Sequence, residues 1–390
     1  MRMAERPVLD PKRQSQAKEF SRLGRRPALF EMALGVAYLL FWVSSGRGAA
    51  LAGDLQASLP DAWPIPLVAT AACLAIPWAV ITLPFGYYGG FLLPHRFGQS
   101  NQTRRSWILD QMKGLLIGVL VGVPLLVGLY GLMRGMPETW WLVAGLGYTA
   151  FVAALSVAAP VLVMPLFYKF RPLGEDHAEL AERLTRLSRA AGRKVRGVFT
   201  IDMSRRTKSA NAALVGMGKT RRIVLGDTLL EHFPADEIES VLAHELGHHV
   251  RRDIPGGVAA EGLATLVTLW IAQTALVAAV SRGLLSAPYD PAGLPILGLV
   301  FAVVGLLLLP VRNAYSRWRE RGADEFAVHL TGTPSAFADA LTRLANQNLA
   351  DTDPPRWAVV VFGTHPPLNE RIRRANEIGG QRAHASTAVT

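Results

Sequence analysis

Cysteine is almost missing from this chain, with one residue, Cys73, among 390. A lone thiol cannot close an intramolecular disulfide, and it is too little for a structural zinc site built on thiolates. Any metal held here therefore rests on histidine and carboxylate. Charge is scarce as well: 18% of residues are charged and 50% are hydrophobic, whereas soluble domains carry about 25% charged residues. That balance excludes a disordered tail, a coiled coil and an ordinary soluble globule. Internal repeats and long low-complexity tracts are absent, and only the end of the chain, finishing in HASTAVT, reads as a frayed tail.

What the chain has in quantity is apolar runs. A hydrocarbon core of roughly 30 Å takes about 20 helical residues to cross, and six runs are long enough: Pro27 to Ser44, Trp63 to Leu93, Trp107 to Met133, Thr139 to Phe167, Gly256 to Val280 and Ala292 to Val311. Pro77 and Pro84 predict a kink in the second. Prolines inside spans leave carbonyls that neighbouring helices must satisfy, which implies a packed bundle in the lipid bilayer.

The formal charge of +11 is placed unevenly. Arg2, Arg6, Lys12, Arg13, Lys18, Arg22, Arg25 and Arg26 precede the first run, and Arg96, Arg104 and Arg105 follow the second. The alternate loops hold only Arg47, Arg134 and Arg282. Basic residues concentrate on the cytoplasmic side of membrane proteins, so both termini are expected there. The excess is thus topological, and no nucleic-acid partner is expected. The N-terminal segment has no cleavage site of a secretory signal, so the first helix is expected to stay. Two polar stretches, Arg171 to Asp253 and Arg312 to Thr390, fall on one side, and the hairpin between them should bring them together.

The sharpest motif is His244-Glu245-Leu246-Gly247-His248. Pro234, the acids Asp236, Glu237 and Glu239, and the spacing of Ile238, Val241, Leu242 and Leu246 predict a helix. Residues four apart share one helical face, so His244 and His248 can bind one Zn2+ through neutral imidazoles, and Glu245 beside them can act as base toward an activated water. A catalytic zinc needs a third protein ligand. Glu320 is the candidate, with Asp324 one turn later placed to accept a hydrogen bond from the far nitrogen of a ligating histidine. The competing reading pairs Glu320 and Asp324 with Arg317, Arg319 and Arg321 at a solvated helix end. His365, extended before Pro366 and Pro367, and Arg371 on the helix that follows could each stabilise an oxyanion. Val198 to Ile201, Asn211 to Val215 and Arg222 to Leu225 read as strands joined through Gly216 to Gly218, and an exposed edge there could bind an extended peptide by its main chain.

These motifs stand in one order over about Leu83 to Ile372: LPFGYYGGFLLPHRFGQSNQT, PLFYKFRPL, SANAALVGMGKTRRIVLGDTLLE, VLAHELGHH, SRWRERGADEFA and THPPLNERI. The chain resembles the integral-membrane zinc metallopeptidases of the type I CAAX prenyl protease family, in a bacterial-looking version. The resemblance implies His244, His248 and Glu320 as zinc ligands, Glu245 as general base, and His365 and Arg371 near the scissile carbonyl. It also implies substrate contact at the edge residues Asn211 and Ala212, and helices that surround a water-filled chamber. Three departures stand out. Those relatives have seven spanning helices, the run SRRTKSANAA lacks their Ser-His before Asn, and a bacterial cell is not expected to supply prenylated substrates.

The fold expected is mostly α: a polytopic membrane bundle of about six helices with a zinc metalloprotease domain at its cytoplasmic face containing a small β-sheet. Residues 1–169 form an N-terminal membrane domain with four spans. Residues 170–390 form the peptidase domain, interrupted by a membrane hairpin at about 256–311. The expected work is hydrolysis of peptide bonds in membrane-associated proteins, including lipidated ones, in a bacterial inner membrane. A broad quality-control protease would use the same residues, whereas a scaffold with a structural zinc would need a fourth protein ligand. His249 is read as packing or a support behind the site, and His95, His177, His232, His329 and His384 as ordinary surface or core residues. Glu261 is a candidate to line the chamber, and Gln273 to extend its polar face.

Overall fold

The computed structural model describes residues 6–216 and 218–387. Arg2, the side chain of His384 and the last residues of the expected tail lie outside them. In chain order the elements are α1 (Pro11–Ser44), α2 (Arg47–Ser58), α3 (Pro64–Tyr87), a π-helical turn (Tyr88–Leu92), α4 (Leu93–Arg96), α5 (Arg104–Gly135), α6 (Trp140–Leu162), β1 (Phe170–Pro172), α7 (Ala178–Ala190), β2 (Val198–Ile201), β3 (Ala212–Val215) and β4 (Arg222–Gly226). There follow α8 (Asp227–His232), α9 (Ala235–Val250), α10 (Asp253–Ser281), α11 (Leu294–Thr331), α12 (Pro334–Gln347), α13 (Arg356–Phe362) and α14 (Leu368–Thr387).

Among the described residues, six helices are long and apolar enough to cross a membrane: Pro11–Ser44, Pro64–Arg96, Arg104–Gly135, Trp140–Leu166, Asp253–Ser281 and Pro291–Thr331. They close a ring, α1 packing on α3, α3 on α5, α5 on α6, α6 on α10, α10 on α11 and α11 back on α1. Small residues let neighbours approach: a Cβ on Gly262 of α10 would stand 2.6 Å from the Thr149 hydroxyl of α6. Four consecutive helices, α5, α6, α10 and α11, line a hollow of about 760 Å³. Leu129, Tyr148, Phe301 and the pair Glu261 and Arg312 face it.

The polar part packs α7, α9, α12, α14 and the end of α11 around the sheet, with Leu184, Ile223, Leu225, Ile238, Leu242, Leu246 and Phe337 in its core. The sheet runs β1-β2-β4-β3, parallel between β2 and β4 and antiparallel elsewhere. β3 is therefore an edge, as the spacing of the Asn211 to Val215 segment allowed. The Gly226 N–H donates to the Asn211 carbonyl at 2.9 Å, so by antiparallel alternation the main-chain groups of Ala212 and Leu214 point away from β4. Two clasps join the parts. Asp110 on α5 accepts both Nε and Nη2 of Arg206 at 2.8 and 2.9 Å, and Arg13 on α1 donates to the carbonyls of Asn346 and Gln347.

Several expectations are corrected. α1 starts at Pro11 and not at Pro27, because Asp10 caps the N–H groups of Lys12 and Arg13 and proline occupies the first turn. α2 and β1 were not foreseen. α3 runs through Pro77 and Pro84, and the helical irregularity falls at Tyr88–Leu92, where the N–H of Leu93 reaches back to the Tyr88 carbonyl. Pro94 lacks the N–H that a regular helix would offer Gly90. α14 continues to Thr387, so the tail before Ala388 is helical. Gln273 does not extend the hollow's polar face: it binds Trp140 and the Pro137 carbonyl at the far end of α10.

Candidate metal centre

α9 begins after Pro234, whose backbone is extended, and carries Asp236 and Glu237 in its first turn, where the helix dipole favours acids. Its apolar side, Ile238, Leu242 and Leu246, is buried in the core, and His244 and His248 stand on the adjoining face. Gly247 lies against α11 so closely that a Cβ there would meet the Ala323 Cα at 3.0 Å. That approach carries Glu320 and Asp324 to the two histidines.

His244 Nε2 and His248 Nε2 are 3.2 Å apart. Glu320 Oε2 is 3.3 Å from the first and Oε1 is 3.3 Å from the second. Behind the rings, Asp324 Oδ1 lies 2.9 Å from His244 Nδ1, and Asp253 Oδ2 lies 2.7 Å from His248 Nδ1. Each Nδ1–H donates to its carboxylate, so both Nε2 lone pairs face the Glu320 carboxylate across one small space. Three mutually facing acceptors repel unless a cation or protons lie between them. Glu320 Oε2 is buried and accepts no hydrogen bond. For metal bonds of about 2.0–2.1 Å, the edges of a tetrahedron measure about 3.3 Å, so the donor set fits such an ion.

The remaining side chains divide into an open and a closed side. His365 is 57% exposed and holds Nε2 3.4 Å from Glu320 Oε1, with Thr364 Oγ1 3.0 Å from its Nδ1. Arg371 is largely but not fully covered, on the far side of His244. Its Nε and Nη2 bind Asp324 at 2.8 and 2.6 Å, and Nη2 stands 4.0 Å from Glu320 Oε2. Glu245 forms no hydrogen bond or ion pair among the described residues, and burial raises its pKa against the pull of His244 and His248. Burial would lower His244, yet the carboxylates of Asp324 and then Glu320 beside its ring carry it to about 9 in the metal-free protein. His365 is lowered, by loss of water on the side of its ring that faces the site and by the nearby cations Arg371 and His244. Asn211 is exposed beside β3, while the Ala212 side chain is in the core, leaving that residue only its main chain to offer. His249 Nε2 donates to the Leu214 carbonyl at 2.9 Å.

A family model described as peptidase family M48 matches residues 175–378, and one described as CAAX prenyl protease N-terminal, five membrane helices, matches residues 7–169. The first alone spans more than half of the chain. This protein belongs to peptidase family M48. It is 28% identical over 375 residues to an uncharacterized metalloprotease, YhfN, of Bacillus subtilis, covering 95% of this chain and 87% of that protein. It is 31% identical over 306 residues to a CAAX prenyl protease 1 homolog of Oryza sativa, covering 76% and 70%. The crystal structure of S. mikatae Ste24p superposes with a TM-score of 0.83 at 23% identity, over 96% of this chain and 92% of that one, which shows the fold.

The M48 chain is thus an integral-membrane metallopeptidase, a hydrolase whose family works with a metal. Where the family description counts five N-terminal membrane helices, the described residues of this chain have four long enough to span and the short α2. His244, His248 and Glu320 are the group among the described residues that could hold the ion. The three arginines that the competing reading pairs with Glu320 and Asp324 are committed elsewhere. Arg317 donates to the carbonyls of Val359 and Gly363 at 2.9 and 2.7 Å, Arg319 faces Asp253 at 3.6 Å, and Arg321 binds Glu370 at 3.0 Å. With Asn313, which donates to the Val360 and Val361 carbonyls, Arg317 fixes the segment leading to His365. Those two supports, and Asp253, were missed in the sequence because their partners are main-chain carbonyls or a residue beyond a helix break. Glu261 pairs with Arg312 at 2.5 Å on the hollow's wall.

Proposed function

We propose that this M48 member is a zinc metalloendopeptidase, one ion per chain, that cleaves peptide bonds of membrane-associated proteins, including lipidated ones, close to the cytoplasmic surface of a bacterial inner membrane. The observation that carries the reading is the convergence of His244 Nε2, His248 Nε2 and Glu320 on one space, with edges of 3.2–3.3 Å and the unpartnered Glu245 beside them. Three protein ligands leave a position open, which is the pattern of a catalytic and not a structural site. Zinc, when bound, supplies Lewis acidity and lowers the pKa of a nearby water.

The chain's own groups do the rest. Glu245 takes a proton from the attacking water on its carboxylate and delivers it to the departing amine, and burial, by raising its pKa, makes it the stronger base. His365, on the open side, donates to the carbonyl oxygen as negative charge develops there. Arg371 holds Asp324 in a two-point grip, and Asp324 fixes the ring of His244. The outward main chain of Ala212, with Asn211 next to it, pairs an extended substrate. α11 carries both Arg312 on the hollow and Glu320 at the centre, so the hollow and the site are neighbours. The basic bias of the N-terminal segment and of the loop before α5 supports a cytoplasmic position for this face.

The test is hydrolysis by the full-length protein in liposomes, with one peptide sequence offered free and lipid-anchored. Cleavage should stop when a chelator strips the ion, return with zinc, and favour the anchored peptide. Cleavage indifferent to chelation would end the zinc reading, and equal turnover of the two forms would end the membrane-substrate reading.

A further inference from the structure

The second histidine is held from behind by a residue on a different element. We propose that Asp253 is a positioning residue for the metal centre, orienting the ligand His248 and tying both ligand-bearing helices to the first turn of α10. The inference rests on His248 being a ligand.

Asp253 follows His248 by five positions. On an unbroken helix that separation would put the two about 140° apart around the axis, out of reach. The chain breaks instead at Arg252, whose φ of 58° and ψ of 37° are left-handed, a conformation that side chains other than glycine adopt rarely. This two-residue link from α9 to α10 turns Asp253 back beneath the imidazole. Its Oδ2 then meets His248 Nδ1 at 2.7 Å, and its Oδ1 faces Arg319 Nε at 3.6 Å. Arg319 neighbours Glu320, so one carboxylate touches α9, α10 and α11 at once.

The surroundings suit a fixed anion. Asp253 is 5% exposed, and it stands where unpaired N–H groups at the start of α10 favour negative charge. Arg319 is kept in place from two sides. Its guanidinium lies 5.4 Å over the Tyr315 ring, and Gly257, one turn into α10, leaves room that a Cβ would take by coming within 2.8 Å of Arg319 Nη1. A hydrogen bond from Nδ1 to a carboxylate fixes the tautomer that presents Nε2, and makes the ring a better donor to a cation. Asp324 gives His244 the same support, and Asp253 does so from the helix that enters the membrane.

The experiment measures zinc affinity of the purified full-length protein by chelator competition, together with the visible spectrum of the Co2+-substituted form, in Asp253→Ala, Asp253→Asn and Arg252→Gly. Loss of such a support typically costs about 10–100-fold in metal affinity, and Asp253→Ala should show that loss and a changed Co2+ spectrum at unaltered helix content. Asp253→Asn keeps an acceptor without the charge and should weaken binding by at least about threefold. Arg252→Gly, which accepts the same backbone angles, should bind within about twofold of the wild type. If Asp253→Ala does not fold, Asp253→Asn decides by itself. Affinity within twofold of wild type in every Asp253 variant that folds, with an unchanged spectrum, overturns the proposal. A wild-type protein that binds no metal would instead overturn the function proposed above.

Discussion

The membrane ring and the peptidase core use burial in opposite ways. In the ring the apolar windows are at most 28% buried inside the protein, and for α1 and α6 none of the window is, so most side chains are spent on the surrounding lipid. In the core the buried set includes Glu237, His244, Asp253, Glu320 and Asp324, and each faces a named partner: Glu237 meets Arg343 at two points, Asp253 meets His248 and Arg319, and the other three meet one another or Arg371. Hydrophobicity in the ring states where a segment lies. Charge in the core states what the molecule does, because an ionised group is tolerated there only if it is paired or binds an ion. Single substitutions should therefore be felt very unequally in the two regions.

The largest effect is expected for Glu245→Gln, which should lower peptide hydrolysis by at least about 10³-fold while the metal content of the purified protein stays at one per chain. Full turnover would remove Glu245 from the reaction. His365→Ala, losing a donor on the open side, should cost about 10²-fold in kcat with less change in KM. A drop confined to KM would make His365 a binding group. Breaking the mostly buried clasp between the two regions by Arg206→Ala should destabilise the protein by about 3 kcal/mol, read as a fall in the midpoint of chemical unfolding in detergent. No shift would mean that the regions are held together elsewhere.

A smaller effect comes from pH. His244 has a folded-state pKa of about 9 against 6.5 when unperturbed, so in the metal-free protein its proton contributes stability that is complete below pH 6.5 and lost as pH rises through 9. The Tm of the metal-free form should fall over that window, and that of the zinc-loaded form should not, since the ion replaces the proton. Parallel profiles would contradict this. The smallest effect is expected on the lipid face. Leu120 is 64% exposed, and Leu120→Ala should change stability by less than about 0.5 kcal/mol; a loss of several kcal/mol would show that α5 packs against something unseen.

Much of the ring could be read from composition, because a span needs only length and apolarity, and all six runs fall on the helices found, the one from Trp63 overrunning its helix by one residue at the start and the one from Thr139 to Phe167 by one at each end. What escaped was where polar chain joins them. Asp10 and Pro11 start α1 far ahead of the apolar run, and a capping residue is a weaker signal than hydrophobicity. β1, three residues long, exists only because β2 is there to pair with it. In the site, the four-residue spacing on α9 placed His244 and His248 before any fold was known. Glu320 and Asp324 were open to two readings until Gly247 was seen to let α11 approach. Asp253 was illegible for a local reason, since no residue pattern marks Arg252 as left-handed. Arg371 illustrates the limit of reading charge from sequence: a cation near the reaction turns out to grip Asp324 behind His244.

In the function proposed above, one metal centre is assembled from α9 and α11, on either side of a membrane hairpin. Elemental analysis of Glu320→Ala, purified beside the wild type, tests it most directly. The wild type should carry one zinc per chain and the variant close to none, with hydrolysis lost in parallel. A variant that retains one zinc per chain would contradict the claim and return Glu320 to the role of a charged residue on a helix end.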